Sequence, residues 1–156
     1  MKVLIAYGSK YGCTEKAALK LKSLIKNSTT VNLSKGEKAN INEYDCVLLG
    51  GSIYMGKIQK QVSDFANGNI DTLQTKKIGL FLCCAGKDQF DQQLKASFPE
   101  KLIQKAKTPG YFGYIYDFSK MNFMFKMIIK KIENIKEGKD CLDMKAIEAF
   151  ANEFNE

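Results

Sequence analysis

Histidine and arginine are both missing: all 24 basic side chains among the 156 residues are lysine. Without histidine the chain cannot assemble a Ser-His-Asp or Cys-His nucleophile, a histidine general base or a histidine-held zinc. Most hydrolase chemistry and most metal chemistry are thereby excluded. The lack of arginine removes the side chain that most often reads guanine bidentately. Nor are the lysines gathered into one block, and residues 146–156 hold three acids and no lysine. The net charge of +7 therefore allows loose affinity for phosphates or anionic headgroups. No nucleic-acid partner is expected.

Cysteine pairing signals are missing too. Cys13, Cys46, Cys83, Cys84 and Cys141 contain no C-x-x-C pair and are odd in number, so neither a zinc site nor a disulfide framework is indicated. Long apolar runs are also absent. Residues 3–6 are too short for a signal-peptide core, and no stretch reaches the roughly 18 apolar residues that span a bilayer. A reduced, cytoplasmic protein is the expectation. Apolar residues make up 45% and charged residues 26%, as in an ordinary globular protein, and the length suits one domain spanning 1–156.

What is present is an alternation of strand and helix signals. Residues 3–7 form a continuous apolar run ending in Gly8-Ser9, the pattern of a strand buried on both faces. Residues 14–26 read as a helix, with Ala17, Ala18, Leu21, Leu24 and Ile25 on one face. Further strands are predicted at 29–33, 46–49, 78–84 and 111–116. Helices are predicted around Ile58, Val62, Phe65 and Ala66, over 94–106 with a break at Pro99, and around Ile147, Phe150, Ala151 and Phe154. The order implies an α/β fold, a doubly wound sheet of about five parallel strands. Such sheets bind ligands at the carboxyl ends of their strands. The loops of interest therefore begin at Gly8, Gly50 and Cys84.

The first loop runs Gly8-Ser9-Lys10-Tyr11-Gly12-Cys13-Thr14 into a helix start. Its small and hydroxyl residues leave amides free to face an anion at the positive end of the helix. A simple turn, with Ser9 or Thr14 as helix cap, fits the same residues. A nucleotide P-loop would need Gly-Lys-Ser or Gly-Lys-Thr at its end, and the G-x-G-x-x-G of dinucleotide-binding folds is absent. A response regulator would need acids at the strand ends, and the first strand ends in Tyr7-Gly8-Ser9. A metal-free monophosphate site survives these exclusions.

Ser9, Lys10, Tyr11, Gly12, Cys13 and Thr14 match [ST]-x-x-G-x-T, which resembles the FMN phosphate loop of the flavodoxin family. Tyr11 stands where that loop carries a small or hydroxyl residue. The resemblance implies a flavodoxin-like α/β fold of strand order 2-1-3-4-5, with FMN as cofactor. It extends to the second loop, Gly50 to Gly56, where Ser52, Ile53, Tyr54, Met55 and Gly56 correspond to the segment that holds one flavin face. Tyr54 and Met55 offer stacking surfaces; a loop tip covering the sheet edge is the alternative. Cys84, Ala85, Gly86, Lys87 and Asp88 occupy the third flavin loop. Lys87 stands out there, because a cation beside a flavin favours its reduced, anionic form. A solvated Lys87 turned away fits equally.

Residues 118–135 are the most unusual stretch. Met121, Phe123, Met124, Phe125, Met127, Ile128, Ile129 and Ile132 leave only a narrow polar stripe of Asn122, Lys126 and Lys130. The arc is wider than one packing face needs. Such a helix lies on an anionic membrane surface, covers an apolar ligand, or packs between the sheet and a neighbour. As an inserted apolar helix (118–136) before the C-terminal one, it is similar to the insertion of the flavodoxin-type protoporphyrinogen dehydrogenases, which pass electrons to quinones. That resemblance implies a quinone, or else a redox partner protein, as the partner. It also implies peripheral contact with the inner face of the membrane through Phe118 to Ile135. A plain electron carrier between redox proteins is the alternative. No catalytic acid or base is assigned, since electron transfer requires none.

Overall fold

The computed structural model describes residues 1–155. Strand β1 (Val3–Tyr7) is buried throughout and splits its side chains between two apolar clusters. Leu4 and Ala6 join Val47, Leu49, Leu80 and Leu82 on one face, while Val3, Ile5 and Tyr7 join Leu48, Phe81 and Cys83 on the other. Period-two alternation across a sheet with two dry faces gives the continuous apolar runs seen in the sequence.

The sheet has five parallel strands in the order β2 (Ser28–Asn32), β1, β3 (Cys46–Ser52), β4 (Lys77–Cys83), β5 (Gly110–Tyr111). Helix α1 (Cys13–Leu24) contributes Ala17, Ala18 and Leu21 to one face. The other face is covered by α2 (Lys60–Gly68), α3 (Ile70–Gln74), α4 (Phe90–Ser97) and α5 (Glu100–Lys105), through Val62, Ala66, Leu73, Leu94 and Leu102. Pro99 separates α4 from α5, as its missing amide requires. Tyr7 is level with Gly50, and Ser52 with Cys83. The loops that leave β1, β3 and β4 therefore emerge side by side at one edge.

The predicted fifth strand, 111–116, is two strands. After β5, Phe112 is fully buried and Gly113 turns the chain with φ 76°. A Cβ on Gly113 would overlap the carbonyl oxygen of Cys141. The chain then leaves the sheet as β6 (Gly113–Tyr116), which pairs antiparallel with β7 (Lys139–Leu142). Between these strands sits α6 (Phe123–Ile132), shorter than the predicted 118–135. Asn122 starts it by accepting a 2.8 Å hydrogen bond from the Phe125 amide, while the Ser119 amide and hydroxyl are held by Asp117. Helix α7 (Met144–Asn152), capped by Asp143, returns beside α1 and buries Ile147, Phe150 and Ala151.

Candidate functional site

The first loop is stitched before any ligand is considered. Ser9 Oγ accepts from the Gly12 amide at 3.1 Å and the Glu15 amide at 3.4 Å, which leaves its proton free to donate. The Ser9 amide is itself held by Ser34 Oγ at 3.0 Å. Gly12 precedes α1 with φ 94°, a conformation that glycine takes without strain. Among the described residues, no hydrogen bond within the protein takes up the amides of Lys10, Tyr11, Cys13 and Thr14. Free amides at a helix N-terminus form an anion cradle.

Thr14 is fully buried and its hydroxyl bonds that of Ser52, so it ties the first loop to the second. The second loop is further pinned by Gln59, which sequence reasoning missed. Its side chain accepts from the Ser52 amide at 3.0 Å and donates to the Ser52 carbonyl at 3.1 Å. The Ile53 amide reaches the Cys83 carbonyl at 3.0 Å, and the Tyr111 hydroxyl donates to the Ala85 carbonyl at 3.1 Å. All three loops are thus fixed by one another.

Between them lies a cavity of about 320 Å³, within the range of small-cofactor sites. Of the predicted residues, Cys13, Ser52, Ile53, Tyr54, Met55, Gly56, Cys84, Ala85 and Gly86 line it. Tyr11 borders it, with its ring stacked on Phe125 at 5.6 Å and edge-on to Tyr54 at 5.2 Å. Lys87 and Asp88 begin a short 3₁₀ turn outside the lining, and the Lys87 ammonium lies 5.9 Å from the centre of the Tyr111 ring. One further wall is α6, which the sequence offered as a cover for an apolar ligand, through Phe125, Ile128 and Ile129, with Glu133 just past its end; the wall that sequence reasoning missed is β6, through Tyr114, Ile115 and Tyr116. The wide apolar arc of 118–135 was the signal for α6, because that helix presents one side to the cavity and another to solvent. A larger hollow, about 570 Å³, lies among Lys76, Lys77, Lys105 and Lys107 at the far end of the sheet. It is remote from the three loops, so the smaller cavity is the site.

Burial sets the electrostatics of the floor. The Cys83 thiol hydrogen-bonds Cys13, which holds Cys13 below its ordinary pKa and, together with burial, raises that of Cys83. Burial pushes Cys84 up to about 12 and raises Tyr54 and Tyr116 as well. These phenols are therefore neutral at pH 7. Among the described residues, no group of acids, cysteines or histidines is placed to hold a metal.

A model of the flavodoxin domain matches residues 4–143. The chain belongs to the flavodoxin family. The fold is similar to that of flavodoxin 1 from Bacillus cereus, with a TM-score of 0.61 at 17% identity over 99% of this chain and 97% of that one. A WrbA-like flavodoxin from Agrobacterium tumefaciens gives 0.59 at 15% identity, covering 97% and 93%. The flavo di-iron protein of Thermotoga maritima gives 0.55 at 16% identity, with 99% of this chain on 36% of that longer one. At these identities the likeness is one of fold. No curated protein sequence matches the chain. FMN is the cofactor of the family, and the residues present suit it: unclaimed amides and the Ser9 proton for a phosphate, and an apolar slot with aromatic walls for a ring system.

Proposed function

We propose that this single domain is an FMN-dependent oxidoreductase of the protoporphyrinogen-dehydrogenase type, oxidising a planar apolar donor and passing electrons to a quinone. The observation that carries this reading is a second, open hollow of about 450 Å³ on the outer side of α6, lined by Met55, Asn122, Phe123, Met124, Phe125 and Ile128. Met55, Phe125 and Ile128 line both hollows. A flat apolar ring in the outer hollow would lie one side chain away from a flavin in the inner one. FMN, when bound, supplies the electron-accepting chemistry. The chain's own residues hold its phosphate through the Ser9 to Thr14 loop, flank its ring with Tyr54 and Met55, and keep water out with α6.

Phe123, Met124, Met127 and Ile132 are 76, 75, 51 and 70% exposed, and Lys126, Lys130 and Lys131 lie on the same helix. An apolar crest edged by cations fits an anionic lipid surface, where a quinone would be met. No helix among the described residues is long and apolar enough to cross a membrane. Lys87 starts the turn beside the cavity with its ammonium over Tyr111 rather than in the lining. If its charge reaches the flavin, Lys87→Gln shifts the potential of bound FMN downward in a potentiometric titration, and an unchanged potential assigns it to solvent.

The decisive experiment offers protoporphyrinogen and a menaquinone to the FMN-loaded protein. Quinone-dependent oxidation supports the enzyme. The second reading, an electron carrier between redox proteins, is favoured by the inner cavity, whose volume one flavin would fill. Reduction by a flavodoxin reductase with no turnover of the porphyrinogen would establish the carrier instead.

A further inference from the structure

The first loop faces a lysine that does not belong to it. Lys120 lies in the turn that leads into α6, more than a hundred residues along the chain. Its ammonium nevertheless sits over Gly12, where it would be 3.1 Å from a Cβ on that residue. Gly12 is the residue before α1, so this cation stands at the positive end of a twelve-residue helix. Like charges meet there, which is unfavourable unless an anion is shared between them. The nearest counter-charge is Asp117 at 3.8 Å, a long and largely exposed pair, so it leaves the ammonium able to take another partner. The loop's own resources are partly committed: the Thr14 hydroxyl is bonded to Ser52, and Ser9 Oγ accepts from two amides.

The geometry points to Lys120 as the counter-charge of the FMN phosphate, so that binding the phosphate and closing the α6 cap are one event. This rests on FMN occupying the loop as proposed above. Asp117 acts as the holding partner, since its carboxylate is itself fixed by Ser119 and keeps Lys120 near the loop. The cap meets the loop a second time through the Tyr11–Phe125 stack. Riboflavin, which has the ring but no phosphate, would engage only that second contact. The chain would therefore read the phosphate monoester through a residue outside its phosphate loop.

The test titrates apoprotein with FMN and with riboflavin, followed by quenching of flavin fluorescence, for the wild type, Lys120→Gln and Lys120→Arg. Lys120→Gln is expected to weaken FMN about tenfold, as loss of one charge-assisted hydrogen bond does, while leaving riboflavin unchanged. Lys120→Arg keeps most of the FMN affinity. Inorganic phosphate should compete with FMN on the wild type more strongly than on Lys120→Gln. In parallel, FMN but not riboflavin should slow tryptic cleavage at Lys126, Lys130 and Lys131. Equal losses for both flavins, or none for either, would overturn the assignment of Lys120, and equal protection by the two flavins would overturn its link to the cap. A wild type that takes up neither flavin overturns the FMN reading itself, a result that the Lys120 variants cannot mimic.

Discussion

The hydroxyls of Thr14 and Ser52, thirty-eight residues apart, are hydrogen-bonded to each other in the dry interior where the first and second loops meet. The pair does not stand alone. Cys83 also bonds Thr14, and Tyr54 bonds Ser52, so one small polar network joins the ends of β3, β4 and α1. Removing one partner strands the other in a low-dielectric setting. Thr14→Val should therefore lower stability by about 1–3 kcal/mol in urea unfolding, and Ser52→Ala by a similar amount. The double variant should cost clearly less than the sum of the two. Strict additivity would mean that the hydroxyls are not coupled.

Gly113 decides where the sheet ends. Its φ of 76° and the closeness of the Cys141 carbonyl leave no room for a side chain. Gly113→Ala would have to tear β6 from β7 or distort both, at about 3 kcal/mol or more. The β6–β7 ribbon forms one wall of the cavity, so FMN affinity should drop alongside the melting temperature. An alanine variant with wild-type unfolding and wild-type flavin uptake would contradict this.

That glycine also marks the limit of what could be read from the chain. The central strands were legible because both their faces are dry, and the three loops because small residues follow each strand. Residues 111–116 look like one aromatic strand, since alternation says nothing about which partner a strand will choose. Only the antiparallel return of Lys139–Leu142, a short exposed strand without an apolar pattern, reveals the split. Helix α6 was visible by composition, but its bounds were set by side-chain caps: Asn122 at the start and the left-handed Asn134 just past the end. The placement of Lys120 over Gly12 follows from that fold-back and has no local signature.

Alkaline pH should loosen the fold at a buried thiol. Burial pushes Cys46, in the first position of β3, up to about 12 from an ordinary value near 9. The unfolded chain releases this proton around pH 9, whereas the folded chain holds it to about pH 12. The folded state thus binds more protons in that window, and stability falls as pH rises through it. Below pH 9 the contribution is constant. Tyr7, raised to about 12 by burial and then by Glu15 and Glu37, steepens the fall above pH 10. The melting temperature should stay flat from pH 7 to pH 8.5, then decline, and Cys46→Ala should make the decline shallower. An unchanged slope in that variant would assign the effect to other groups.

Met55 is held in a conformation that suits it poorly. Tyr54 and Lys57 exchange two backbone hydrogen bonds, at 2.9 and 3.0 Å, around a two-residue turn whose central residues have φ 51° and 74°. That is the geometry for which Asn-Gly is preferred, and here Met55 precedes Gly56. A left-handed non-glycine residue costs on the order of 1 kcal/mol, and Met55 recovers little by packing, being 73% exposed. Its compensation is positional, because it lines both the inner cavity and the outer hollow. Met55→Asn should raise the urea midpoint by an amount worth about 0.5–1 kcal/mol while weakening FMN and slowing electron delivery from a donor on the outer side. A variant that gains stability and keeps both functions would show the strained methionine to be dispensable to the site.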